Sequence, residues 1–139
     1  MSDTLIRAAF ETRLAAWADA RSPALPIAYE DFSFSPPEDD GTYLQAFLMP
    51  ARTTSDDLEG AHTSFQGVFQ VSIVTKAGSG RAEASGIADE LRQLFPNNLR
   101  LDWGGLAVFV ISPLSTAAAL AGDTTSTLPV SIQYRADTF

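Results

Sequence analysis

Ile6, Phe10, Leu14 and Trp17 recur at helical spacing, with Ala9 and Ala18 beside them and Arg7, Glu11 and Arg13 on the other side. They predict a first helix, capped by Ser2 or Asp3 and ended by Arg21-Ser22-Pro23, because the residue before proline avoids the α region. Trp17 reads as a core anchor. Pro26 to Phe34 reads as a strand whose apolar members are Ile27, Tyr29 and Phe32. Tyr43 to Met49 is a second strand with Tyr43, Phe47 and Met49 on one face and Leu44, Ala46 and Leu48 on the other. Phe65, Phe69, Val71 and Ile73 alternate with Ser64, Gln66, Gln70 and Ser72, the pattern of a half-buried strand, and Gly67 interrupts its apolar face as a bulge or a close approach.

Ala84, Ile87, Ala88, Leu91 and Leu94 or Phe95 predict a second helix, with Glu83 and Arg92 placed to suit its dipole and Phe95-Pro96-Asn97-Asn98 stopping it. A short strand Leu99 to Leu101, a hairpin turn Asp102-Trp103-Gly104-Gly105 and an apolar strand Leu106 to Ile111 follow. Leu128, Val130, Ile132 and Tyr134 alternate with Ser131, Gln133 and Arg135 in the last strand. Pro129 predicts that this strand starts there or lies at an edge. Two long connections remain: Pro50 to His62, polar, and Ser112 to Ser126, rich in Ala, Ser and Thr.

The order is α-β-β-β-α-β-β-β. It predicts an α/β (α+β) domain over residues 1–139, with a single mixed, mostly antiparallel sheet of about 5–6 strands and two helices on one face. Phe65 through the second helix to Leu99 or Leu106 reads as a crossover. Tyr43–Met49 and Leu106–Ile111 offer apolar side chains to both faces, so loops or another subunit must cover the second one.

Composition narrows the chemistry. The chain lacks cysteine, which excludes disulfides, thiolate catalysis and cysteine zinc sites. His62 is the one histidine, so no two-histidine metal site exists. The net charge of −8 disfavours wrapping nucleic acid or lying on an anionic membrane. The first residues lack the basic-then-apolar pattern of a signal peptide, and the longest apolar run, Leu106 to Ile111, is too short to span a bilayer. A cytoplasmic origin is the expectation.

Candidate sites resolve to bland readings. His62 with Asp56, Asp57 and Glu59 reads as a solvated acidic loop. Gly78-Ser79-Gly80-Arg81 lacks the spacing and lysine of a phosphate loop. No G-x-S-x-G elbow occurs, and Glu38-Asp39-Asp40 beside two prolines is a wet acidic turn, not a buried general acid. No catalytic, cofactor or metal site is expected, and the chain does not read as an enzyme.

Five stretches together resemble the phage tail terminator-like family, related in fold to the lambda-type minor tail protein U. They are Ile6-Arg7-Ala8-Ala9-Phe10-Glu11-Thr12-Arg13-Leu14, Tyr43-Leu44-Gln45-Ala46-Phe47-Leu48-Met49-Pro50, Gly67-Val68-Phe69-Gln70-Val71-Ser72-Ile73-Val74, the second helix from Ala88-Asp89-Glu90-Leu91 to Leu94-Phe95-Pro96, and Leu128-Pro129-Val130-Ser131-Ile132-Gln133-Tyr134-Arg135-Ala136-Asp137. The resemblance implies a structural virion protein of a long-tailed phage or prophage, made in the host cytoplasm and placed at the tail–neck junction. It implies a homohexameric ring that caps the tail tube and stops its growth. The expected partners are further copies of the chain, the tail tube protein and a head–tail connector, with phage DNA passing the lumen unread and no membrane involved. Arg52, Asp56, Asp57, Glu59 and His62 are the expected contacts to neighbour or tube, and Glu38, Asp39 and Asp40 the charges that keep a further subunit from adding. The alternatives are another neck protein, such as a head-closure subunit, and a small acidic ligand-binding domain.

Overall fold

The computed structural model describes residues 2–21, 24–30, 34, 41–55, 63–78, 82–122 and 125–138, with 2, 52–55, 63, 121 and 138 described by backbone alone. Helix α1 spans Ser2–Ala20 and α2 spans Ala82–Leu94. The strands are β1 (Ile27–Tyr29), β2 (Tyr43–Ser55), β3 (Thr63–Lys76), β4 (Arg100–Trp103), β5 (Leu106–Val110), β6 (Ser115–Thr116), β7 (Leu120–Ala121) and β8 (Thr125–Thr138). They form one sheet in the order β1-β2-β3-β8-β5-β4, with β6 and β7 also paired to β8. Among the described residues, β1 with β2 is the one parallel pair of neighbours. The α+β class, the mixed sheet and the element order agree with the sequence reading. Within the crossover, β8 inserts between β3 and β5.

The core lies between the helices and one sheet face. Ile6, Phe10, Leu14 and Ala18 from α1 meet Leu44, Ala46 and Leu48 from β2, Phe69, Val71 and Ile73 from β3, and Val130, Ile132 and Tyr134 from β8. The Phe10 ring stacks on Phe69 at 4.8 Å and lies 5.7 Å from both Phe95 and Tyr134, so one α1 residue joins the sheet to the end of α2. Arg21 forks onto Glu90 at 2.9–3.1 Å, and Arg13 Nε donates to the Leu94 carbonyl at 2.8 Å, capping α2 from α1. Asn98, at φ 71°, carries the chain out of α2 in the left-handed conformation asparagine tolerates. Gly104 (φ 57°) and Gly105 (φ 82°) make the predicted β4–β5 turn, where both central residues need positive φ.

Four boundaries differ from the sequence reading. The first strand is only Ile27–Tyr29, and Phe32 lies outside the described residues. The Pro50–His62 connection is corrected: β2 continues through Ser55, so only 56–62 remain, and these lie outside the described residues. Pro50 is tolerated because it sits opposite Gly67 with its nitrogen toward the sheet edge, where the ladder requires no donor. The Ser112–Ser126 connection is also corrected, since β6 and β7 lie along β8, which already begins at Thr125. Pro129 stands inside a central strand. Its nitrogen faces the interrupted β6–β7 side, where its carbonyl accepts from Ala117 at 3.0 Å.

Candidate assembly surface

Along β2, β3 and β8, alternate residues face away from the helices. Tyr43, Gln45, Phe47, Val68 and Gln70 are half-buried there, and Gln133 is exposed. Met49 is 42% exposed and pairs with Val68, which in turn pairs with Gln133. Ile111, 45% exposed, extends the row by donating its amide to the Gln133 carbonyl at 3.0 Å. The face therefore mixes apolar side chains with neutral amides. Its charges are held in pairs: Arg100 with Asp102 at 3.0 Å and Arg135 with Asp137 at 3.2 Å, the Arg100 guanidinium also lying 5.7 Å from the Phe109 ring centre.

The free edge of β2 is closed for its first eight residues. Backbone pairing with β1 covers Leu44 to Ala46, and the Leu44 amide donates to the Pro26 carbonyl at 2.9 Å. Beyond β1 the Glu30 carboxylate takes over, accepting the Leu48 amide at 2.6 Å. Pro50 has no amide to offer, and a register slip between Pro50 and Arg52 bends the strand. Arg7 braces Glu30 at 3.4 Å.

A groove of about 500 Å³ opens between α1 and β4, lined by Ala9, Thr12, Arg13, Ala16, Trp17, Leu94, Leu101, Asp102 and Trp103. Trp17 packs against the core, as the helical pattern predicts, and its half-buried ring also lines this groove, with the Arg21 guanidinium 6.0 Å from the ring. Trp103 is 39% exposed. A second cavity of about 360 Å³ lies between α2 and the β6–β7 stretch, lined by Ala, Ser and Thr side chains and Leu128.

The Glu90 hydrogen bond raises Arg21 against the opposing effect of burial, and burial itself perturbs three other groups. It raises Glu11 above the usual carboxylate value, Arg7 opposing and Glu30 adding to the rise. Burial also raises Tyr29, and it pushes Tyr134 up to about 12. Among the described residues no three His, Asp or Glu side chains converge as a metal site.

Of the residues expected at an interface, the structure places Arg52 in β2, its backbone opposite Gln66 just beyond the register slip. Asp56, Asp57, Glu59, His62, Glu38, Asp39 and Asp40 lie outside the described residues. Sequence reading missed Trp103, hidden in a turn motif, and Ile111, counted as a strand residue. Their exposure follows from which strand each one borders.

A family model described as Phage tail terminator protein matches residues 5–134. One solved structure is 47% identical, covers 100% of this chain and 98% of its own, and superposes with a TM-score of 0.85. No curated protein matches the chain.

Proposed function

The chain belongs to the phage tail terminator family, and from this premise we propose that it forms a ring of identical subunits on the tail tube, stops tube growth and presents its other side to the neck. The family is structural and not enzymatic, and the chain is a structural protein of the phage tail and so of the virion. The match over residues 5–134 is the observation that carries the reading.

The fold is compatible with such a ring. A ring needs heterologous contacts, one patch against a different one on the neighbour. The sheet supplies an apolar and amide face with Met49 and Ile111 exposed on it, and two dissimilar edges, one at β1 and the part of β2 beyond it and one at β4. Arg52, Asp56, Asp57, Glu59 and His62 are assigned to the neighbour or tube, and Glu38, Asp39 and Asp40 to the side that refuses a further tube subunit. In this reading DNA passes the lumen without sequence readout, as suits a net charge of −8. Assembly takes place in the host cytoplasm, and the ring ends at the tail–neck junction.

Light scattering after size exclusion, alone and with purified tail tubes, tests this. The expected result is a mass about six times the 14.9 kDa chain, or a ring seen by electron microscopy at one tube end only. A chain that stays monomeric and leaves tubes growing and bare overturns it.

A further inference from the structure

Among the described residues the outer sides of β1, β6 and β7 are open for two or three residues only, and the two longest open stretches of sheet edge lie at opposite ends of one sheet. The first is the distal end of β2. After the register slip, Arg52 pairs with Gln66 and Thr54 with Ser64, which turns the amides and carbonyls of Thr53 and Ser55 away from β3. The second is β4. Its partner β5 takes the main-chain groups of Leu101 and Trp103, while those of Arg100 and Asp102 point outward.

We propose that these two edges bind each other between copies: the distal end of β2 from one subunit adds as a strand to the outer edge of β4 of the next. The assignment rests on the ring reading above and names the surface that joins its subunits. Three observations select a second copy as the occupant. Each edge is four residues long, Arg52–Ser55 and Arg100–Trp103, and each offers two outward main-chain sets at a spacing of two residues. The same β2 edge is closed through Pro50 by β1, the Glu30 carboxylate and the proline itself, and among the described residues it is left open only beyond. An edge guarded along one stretch and bare along the next is shaped for pairing, since exposed edges are otherwise a liability. Finally, β4 borders the groove beside Trp17 and Trp103, so an added strand gains both a ladder and a place for alternate side chains. The contact joins unlike patches, which repeat into a ring where the rotation between copies closes.

The absence of cysteine makes the test clean. Thr54→Cys and Asp102→Cys chains are prepared separately, mixed, and treated with a short bismaleimide, alone and on tail tubes. A covalent dimer is expected from the mixture, and at least ten times less from Thr54→Cys mixed with Gln93→Cys, a control on α2. In parallel, Asp102→Pro removes an outward amide without touching the β4–β5 ladder. It is expected to keep the circular dichroism spectrum and lose the oligomer. Oligomers that form with no Thr54–Asp102 cross-link overturn this interface and leave the ring reading standing. A protein that forms no oligomer, even on tubes, overturns both.

Discussion

The hydroxyl of Tyr134 lies over the α-carbon of Gly67, so close that a Cβ on Gly67 would come within 2.6 Å of it and within 2.6 Å of the Met49 carbonyl oxygen. Glycine at 67 is therefore a packing requirement across three strands, since Gly67 pairs with both Pro50 and Tyr134. Gly67→Ala is expected to cost about 2–3 kcal/mol, because one obstacle is backbone and cannot rotate away. Urea unfolding measures it, and an unchanged midpoint would contradict the contact.

Tyr134 is fully buried, and its hydroxyl has no hydrogen-bond partner among the described residues. Tyr134→Phe removes a polar group already stripped of water, so stability is expected to hold or to rise by up to ~1 kcal/mol. In the Gly67→Ala background the same change should recover part of the loss, since the hydroxyl is gone while the Tyr134 ring carbon at 2.9 Å and the Met49 carbonyl oxygen remain. A double-mutant cycle by thermal melting reads the coupling.

The Glu30 carboxylate, 29% exposed, serves both the Leu48 amide and Arg7. Glu30→Ala leaves that amide bare on an open edge and is expected to cost about 1–2 kcal/mol. The variant should also aggregate faster at high concentration, because the guarded part of the β2 edge becomes available. Turbidity against concentration, compared with Arg7→Ala, separates the edge effect from loss of the ion pair.

Glu11 carries a carboxyl raised above its ordinary 4.5, chiefly by burial. The folded form then holds this proton more firmly than the unfolded chain, so ionisation of Glu11 works against folding above that range. Glu11→Gln is expected to melt higher than the parent at pH 7. The gain should vanish as the pH falls below 4.5, where both states are protonated. A constant difference from pH 4 to 7 would rule out this account.

Removing residues 56–60 leaves β2 and β3 whole. If this stretch contacts the neighbour or the tube, as proposed, the truncated chain keeps its circular dichroism spectrum but loses ring formation or tail-length control, both visible by electron microscopy.

The period of the apolar residues was enough to predict the two helices and the strands Tyr43–Met49, Phe65–Ile73, Leu106–Ile111 and Leu128–Tyr134, but for Tyr43–Met49 and Leu106–Ile111, apolar on both faces, it left the core side open. Periodicity is a local property, set by 3.6 residues per helical turn and two per strand. The family was also legible, because its strand and helix patterns are continuous stretches. The sequence alone also made Gly67 conspicuous as a gap in an apolar face. Only the tertiary structure decided that Tyr134 fills that gap, since the pairing joins residues distant along the chain. It also decided that β2 runs on past Pro50, because whether a proline breaks a strand depends on which side its missing amide faces. The placement of β8 between β3 and β5, and hence which edges stay open, was likewise settled by pairing between distant segments. An edge is a property of what a strand lacks beside it, and no local pattern of residues records that.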